Sequence, residues 1–267
     1  MQIVVCIKQI LDPELPARDF RIDPERKEAV KDNLPLVVNP FDLNAVEVAV
    51  QLKEAHPGSK VTVITLDEEE AQNGLRQALS MGADQAVLVA PEGVDSGDPS
   101  ITARVLARAI ARLEGYDLVL TGRQAGDWDR GLVGLLLAEE LGLPCVPFAP
   151  RLAIHNGTAR VERETPEGYA VIETPLPAVV TITNAEDNAP RFPKLKDTMM
   201  ARRKPLTRWS IADLGLTPDE VGPSARRIEI LDLSIPSLER KCEIIEGETG
   251  AEKGQKLMTR LQELKVI

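Results

Sequence analysis

Short apolar runs alternate with stretches of helical periodicity through the first half of this chain. Four of these runs, Ile3–Ile7, Val61–Leu66, Gln85–Val89 and Leu118–Leu120, have the length and composition of buried strands. Helical patterns lie between them. Because a crossover helix returns the chain to the same end of a sheet, this order predicts a mostly parallel sheet flanked by helices.

Three helices are predicted between these strands. The first extends from about Asp42 to Ala55 and ends at the stop signals His56-Pro57-Gly58. The second extends over Glu68–Met81, with Gly82 as its C-terminal cap. The third begins after Asp98-Pro99 and ends at Leu113.

The pattern changes after Pro150, where short strand-like runs and turns follow one another. Asn156-Gly157 between two alternating runs predicts a hairpin. We expect these runs, up to and including Ala178–Thr183, to be antiparallel strands added to the same sheet or its edge. The chain is thus predicted to form an α/β domain over residues 1–184. Residues 185–267 follow as a looser segment and an extended C-terminal arm, which ends in an amphipathic helix over about Gly250–Leu264.

Composition excludes several classes of function. A formal net charge of −10 provides no basic surface for nucleic acid. The three cysteines lie far apart and the two histidines stand alone, which predicts neither a metal site nor a disulfide scaffold. No run of 18 apolar residues occurs, and Met1 leads directly into a strand, so we expect a cytoplasmic protein without membrane insertion.

The segment 117–145 combines an apolar strand, a polar loop with three glycines and an apolar-faced helix. In α/β proteins this order is typical of a nucleotide site, because the helix N-terminus directs free N–H groups at a phosphate. We expect the helix to begin near Asp127 to Asp129. These two residues are also ordinary N-cap residues, so a capped turn without a ligand is the alternative.

Motifs for direct catalysis are absent from the sequence. No Ser-His-Asp arrangement can be built from two isolated histidines, and neither a P-loop nor a GxGxxG motif follows the first strand. We therefore predict no catalytic side chain. A protein that carries a cofactor, with the chemistry done by that cofactor, fits this pattern.

Five segments spread over nearly the whole chain occur in the order that one known family shows. They are Val5–Gln9, Asn39–Asp42, Leu75–Asp84, Thr121–Ala125, and the stretch from Pro190 through Leu195 to Lys204. Together they resemble the β subunit of electron transfer flavoproteins. The resemblance implies an adenine-nucleotide-hydrolase-like, Rossmann-like α/β fold.

What the resemblance implies about function is a heterodimer. A larger α subunit would hold the redox-active FAD, and the pair would carry electrons between dehydrogenases, or NADH, and acceptors such as a quinone oxidoreductase. The β subunit's own pocket would hold AMP or, in the bifurcating branch, a second FAD that exchanges electrons with NADH. The long C-terminal arm resembles the bifurcating and nitrogen-fixation-associated branch. Which nucleotide is bound stays open.

Carried over position by position, the family pattern assigns cofactor-binding and partner-docking residues. The docking residues are Arg191, Leu195 and Met199. The pocket residues are Cys6, Asn39, Pro40, Phe41, Asp42, Leu66, Gly122, Arg123, Gln124, Ala125, Gly126, Asp127, Trp128, Asp129, Arg130, Gly131, Leu132 and Val133.

The loop departs from the family pattern at three positions. Trp128 replaces a small residue, and Leu132 replaces a glutamine that would hydrogen-bond a phosphate. Arg130 restores a charged donor, so we expect it to contact the phosphate, with a solvated helix residue as the alternative. Trp128 either stacks on a flavin or adenine ring or packs the first turn of its helix. The rival functions are an AMP- or ATP-binding module and an adenine-nucleotide hydrolase without a redox role.

Overall fold

The computed structural model describes residues 1–236 and 242–267. Over these residues the strands are β1 (Gln2–Cys6), β2 (Gln9–Leu11), β3 (Ile22–Asp23), β4 (Glu28–Ala29), β5 (Leu36–Val38), β6 (Lys60–Leu66), β7 (Gln85–Val89), β8 (Leu118–Gly122), β9 (Cys145–Ala149), β10 (Arg151–His155), β11 (Thr158–Thr165), β12 (Gly168–Pro175), β13 (Ala178–Ile182) and β14 (Leu206–Trp209). The helices are α1 (Pro40–Ala55), α2 (Gln72–Met81), α3 (Pro99–Ala111), α4 (Val133–Leu141), α5 (Leu195–Ala201), α6 (Pro218–Val221) and α7 (Gly250–Glu263).

A seven-stranded sheet in the order β14-β7-β6-β1-β8-β13-β9 forms the centre of the molecule. Every neighbouring pair in it is parallel. This confirms the predicted α/β class, with a mostly parallel sheet, additional antiparallel strands and an arm that ends in a helix. All four strands predicted in the first half of the chain lie in this sheet, with β1 next to β6 and β8.

Both faces of the sheet are covered by helices. Ile3 and Val5 of β1 pack in one hydrophobic cluster with α1 and α2, while Val4 and Cys6 pack in a second cluster with α3 and α4. This alternation explains why the strands read as continuous apolar runs. Helix α4 lies very close to the sheet, since a Cβ added at Gly134 would come within 2.6 Å of the Thr121 hydroxyl oxygen.

The predicted position of the antiparallel strands was wrong in two respects. Strands β10, β11 and β12 form a separate three-stranded sheet instead of extending the central one. Strand β13, over Ala178–Ile182, was expected to be antiparallel but runs parallel between β8 and β9. All five residues of β13 are buried, which is the pattern of a central parallel strand.

The start of α4 was also predicted wrongly. The helix begins at Val133, not near Asp127 to Asp129. Asp129 has a φ of +49° and Gly131 a φ of +60°. A right-handed helix cannot pass through these left-handed conformations, so the loop extends four to six residues further than expected before the helix begins.

Two strands of the central sheet, β9 and β14, were not predicted from the sequence. Strand β14 follows residue 184 in the chain yet lies at the edge of the central sheet beside β7. The division of the chain at residue 184 stays a prediction. Residues 237–241 of the predicted arm lie outside the described residues.

The arm is bound to the body at Asp98 and at Lys27, whose ammonium donates to the Ile230 carbonyl oxygen at 2.9 Å. Asp98 is fully buried, caps α3 through Ser100, and accepts the backbone N–H groups of Arg227 and Ile228 at 2.6 and 2.9 Å. Burial opposes ionisation of Asp98, but these hydrogen bonds outweigh it and lower its pKa to about 2. Helix α7 has no buried residue. In the described part of the chain, no helix is both long and apolar enough to span a membrane.

Candidate functional site

The carboxyl ends of β1, β6 and β8 meet at one edge of the sheet, and the first turn of α1 closes this edge. Asp42 of α1 joins two of the strands. Its Oδ2 accepts the N–H of Lys8, directly after β1, at 2.8 Å, and its Oδ1 accepts the N–H of Gly122, the last residue of β8, at 3.0 Å. One carboxylate therefore sets the distance between the starts of the two loops that follow β1 and β8.

Asp42 and Gly122 fit together without spare room. A Cβ added at Gly122 would come within 2.8 Å of the backbone carbonyl carbon of Phe41 and would also collide with the Asp42 carboxylate. Only glycine allows this approach. Asp42 is 6% exposed, and burial raises its pKa to about 7, because the hydrogen bonds it accepts and the charge of Lys8 offset the loss of solvation only in part.

Asn39 holds the same loop at two further residues, Gln124 and Gly126. Its side-chain amide donates to the carbonyl oxygen of Gln124 at 2.8 Å, and its Oδ1 accepts the N–H of Gly126 at 3.2 Å. Asn39 is buried and immediately precedes Pro40, the first residue of α1. The Asn39-Pro40-Phe41-Asp42 motif is thus the clamp on the loop 122–133.

Side chains within the loop are linked to one another and to the strand ends. The ammonium of Lys8 lies 2.5 Å from an Asp127 carboxylate oxygen. Gln124 donates to Asp129 at 2.6 Å, which supports the left-handed conformation of Asp129. The two aspartates that were expected to cap the helix are therefore engaged in the loop itself.

Arg123 is held between two aromatic rings. Its guanidinium carbon lies 5.2 Å from the ring centroid of Phe41 and 5.6 Å from that of Phe148. It also donates to the Thr183 hydroxyl at 3.3 Å. Phe148 has a φ of +57°, an uncommon conformation for an aromatic residue. Phe148 was missed from the sequence because no strand β9 was predicted. Thr183, which directly follows β13, was missed because that strand was expected to be antiparallel instead of parallel beside β8.

Trp128 and Arg130 form a stacked pair at the outer side of the loop. The guanidinium of Arg130 lies 4.4 Å from the Trp128 ring centroid, and its Nη1 donates to the carbonyl oxygen of Gly97 at 3.1 Å. Trp128 precedes α4 by five residues, so the expected packing of a first helical turn does not occur. Its ring is 39% exposed.

The donors around this loop suit an anion. The first N–H groups of α4 have no intrahelical partner, and Leu132, at the N-cap position, provides no side-chain cap. They lie at the positive end of the helix dipole, and the guanidinium of Arg130 comes from the same loop. This set of donors fits a phosphate-bearing group.

The site holds no activated nucleophile. Burial, followed by the nearby Asp42 carboxylate, raises the pKa of the Cys6 thiol to about 12. Leu66, at the end of β6, is partly buried and packs against the cluster that contains Cys6. Over residues 1–236 and 242–267, no group of three His, Cys, Asp or Glu side chains is arranged to hold a metal ion.

The predicted docking residues differ in their surroundings. Arg191 is bound inside the chain: its guanidinium contacts the buried Glu47 at 2.8 Å and Glu54 at 2.6 Å, both on α1. These two carboxylates raise its pKa. Leu195 and Met199 lie on α5 and are 79% and 63% exposed. Phe192, which sequence reasoning did not select, is the most exposed large apolar residue in the described part of the chain.

Comparison with known proteins decides the family. A family model described as the electron transfer flavoprotein domain matches residues 29–214, which include the clamp, the loop and the docking segment. The chain belongs to the electron transfer flavoprotein family. This confirms the resemblance inferred from the sequence. Membership supports flavin or nucleotide binding and a role in electron transfer, and it does not favour the hydrolase alternative.

Several relatives that match along the chain are named as β subunits. The chain is 34% identical over 267 residues to the caffeyl-CoA reductase-Etf complex subunit CarD of Acetobacterium woodii, with 100% of both chains covered. It is 36% identical over 268 residues to the electron transfer flavoprotein subunit beta of Thermoanaerobacterium thermosaccharolyticum, again with 100% of both covered. It is 40% identical over 228 residues to the subunit beta of Mycobacterium leprae, covering 82% of this chain and 83% of the relative.

Replacing Asn39 by Ala tests the clamp. Because the substitution leaves the Gln124 carbonyl and the Gly126 N–H without their partner, we expect the free energy of unfolding to fall by about 1–3 kcal/mol. Amide hydrogen exchange at Gly126 should become faster. Chemical denaturation and exchange mass spectrometry measure the two effects. Asn73→Ala, at an exposed position of α2, is the matched control and should change neither; an Asn39→Ala protein with native stability and protection would contradict the clamp.

Proposed function

We propose that this chain is the β subunit of a heterodimeric electron transfer flavoprotein in the cytoplasm. With an α subunit that holds FAD, it would carry electrons between dehydrogenases, or NADH, and acceptor oxidoreductases. In its own pocket it would bind a nucleotide, AMP or a second FAD. The observation that carries the proposal is the clamped loop 122–133, which ends at a helix N-terminus with unpaired donors.

The pocket is proposed to recognise the part that both candidate nucleotides share. AMP and FAD each contain an adenosine monophosphate moiety, whose phosphate would lie against the first turn of α4 and Arg130. The exposed ring of Trp128 offers a flat surface for the base or the flavin. A bound flavin would supply the redox chemistry, and the chain's residues would bind and orient it.

The C-terminal arm supports an α-subunit partner. Its apolar side chains are exposed although they recur at helical spacing on α7, and an unpaired amphipathic helix is marginal by itself. An apolar surface of this kind is typical of an obligate interface. From residue 228 onward, the exposed large apolar residues of the described chain are Ile228, Leu231, Ile235, Ile244, Leu257, Met258, Leu264, Val266 and Ile267.

Docking of a dehydrogenase is proposed for the segment 190–201. Leu195 and Met199 project from α5, and Phe192 stands beside them, which gives an apolar anchor in a charged surrounding. Arg191 would contribute by fixing this segment on α1 through Glu47 and Glu54.

Replacing Arg130 by Gln tests the phosphate contact. The loss of one charge-assisted hydrogen bond, about 1.5–3 kcal/mol, should weaken AMP binding by about ten- to a hundredfold. Isothermal titration of the heterodimer, stripped of its nucleotide, gives the affinity. Arg112→Gln is the matched control, because Arg112 also lies over a tryptophan ring, Trp209, and donates to a backbone carbonyl, that of Asp213, but outside this loop. Equal affinities for wild type and Arg130→Gln would exclude the contact.

Replacing Leu195 by Ala tests docking. Removal of an exposed anchor should raise the KM of the dehydrogenase for the heterodimer by about tenfold, since a central apolar contact contributes about 1–2 kcal/mol. Flavin content should not change. Stopped-flow reduction by the dehydrogenase that serves the wild-type complex measures the rate. Val171→Ala, exposed on β12, is the control; a Leu195→Ala complex with wild-type kinetics would place docking elsewhere.

A further inference from the structure

The carboxylate of Asp42 faces the backbone. Both of its oxygens accept N–H groups, those of Lys8 and Gly122, and the side chain is buried. A group in this position can act on a nucleotide through the loop that it holds. It stands apart in this respect from Arg130 and the α4 N-terminus, which belong to the loop itself.

We propose that Asp42 is a positioning residue whose ionised carboxylate fixes the first residue of the nucleotide loop to β1, so that nucleotide affinity rises with pH through neutrality. The inference rests on the proposed nucleotide binding and adds a regulating group to that site. It assigns Asp42 a role distinct from direct contact with the nucleotide.

The charge matters because two donors need two acceptors. An ionised carboxylate accepts at both oxygens, whereas a protonated one keeps a single good acceptor and presents an O–H to the other N–H. Either Lys8 or Gly122 then loses its partner. Gly122 has no side chain that could anchor it, and its φ and ψ freedom is the largest of any residue. The start of the loop is then held by the pairing of β8 with β13 but no longer fixed to β1 through Asp42.

Among the described residues, no ion pair neutralises the charge of Asp42. The ammonium of Lys8, whose charge lowers the pKa of Asp42, lies against Asp127 at 2.5 Å. The other titratable or charged groups at this edge are the Cys6 thiol on β1, Arg123 after β8 and Asp67 after β6. Arg123 is held between Phe41 and Phe148, and burial raises the pKa of Asp67, so neither group compensates Asp42. Burial accordingly raises the pKa of Asp42 to about 7.

Fold stability and loop positioning then depend on pH in opposite directions. A carboxyl group with a raised pKa in the folded state binds a proton more tightly there than in the unfolded chain. The stabilisation that the neutral carboxyl group of Asp42 gives the folded state is fully present below the unfolded pKa of about 4. It is lost as the pH rises through about 7. The ionised form above pH 7 is therefore less favourable for the fold and more favourable for the loop.

The test uses the full heterodimer, stripped of nucleotide and titrated with AMP between pH 6 and 8. In wild type we expect the affinity to be about fivefold higher at pH 8 than at pH 6, after subtraction of the change seen in Asp42→Asn. The Asp42→Asn complex should bind about fivefold more weakly than wild type at pH 8, because its amide presents NH₂ to one of the two N–H groups. It should also unfold at a higher temperature than wild type at pH 8, because no charge is buried.

The matched control is Asp117→Asn. Asp117 immediately precedes β8 and accepts the N–H of Gln2 at 2.7 Å, so it joins β1 and β8 at the opposite end of the sheet. This variant should keep the affinity and pH profile of wild type. In wild type itself, exchange protection of the Gly122 amide, corrected for intrinsic rates, should be about fivefold lower at pH 6 than at pH 8, which tests the proposal without any variant.

Three results would overturn the proposal. They are an Asp42→Asn complex with wild-type affinity and pH profile, an Asp42→Asn complex that loses affinity and thermal stability together, and Gly122 protection that does not change with pH. The second result would mean that Asp42 is needed only for packing. A wild-type complex that binds neither AMP nor FAD at any pH would instead contradict the proposed function. This outcome therefore distinguishes failure of the proposed function from failure of this inference.

Discussion

The contact of the first turn of α1 with the ends of β1 and β8 is the interaction on which the site depends. Asp42 joins the two strands, and Asn39 holds the loop that leaves β8. The rest of the same helix holds the docking segment: Asn44 donates to Asn188, Gln51 to the Asp187 carbonyl, and Glu47 binds Arg191. One 16-residue helix therefore positions both regions that the proposed function requires.

The site offers donors for an anion. The loop supplies backbone N–H groups and guanidinium groups, and the Cys6 thiol beside it is buried with a raised pKa. The surface chemistry is divided. Two clusters in the body bury most apolar residues, whereas α5 and the residues from 228 onward expose large apolar side chains. The proposed function assigns such a chain one site for a nucleotide and two surfaces for proteins.

The sequence predicted what depends on local pattern. Apolar runs and capping residues placed strands β1, β6, β7 and β8 and helices α1, α2 and α3. What it could not predict depends on contacts between distant residues. Asp42 bonds Lys8 and Gly122, which are 34 and 80 positions away, and no spacing rule reveals such pairs.

Two errors have identifiable physical causes. Asp127 and Asp129 have the chemistry of N-cap residues, but Lys8 and Gln124 bind them in the loop, so the helix begins at Val133. The hairpin signal at Asn156-Gly157 was valid for β10 and β11 only. It was extended too far to β13, whose uninterrupted apolar sequence already indicated a buried parallel strand.

The central claim is that the clamped loop of this chain holds a nucleotide of its own. Native mass spectrometry of the heterodimer purified without added ligand, followed by chromatography of the released nucleotides, tests it most directly. The account predicts the mass of the two polypeptides plus one FAD and one further nucleotide, identified as AMP or FAD. Two polypeptides with one FAD only, and no further mass after incubation with excess AMP or FAD, would contradict it.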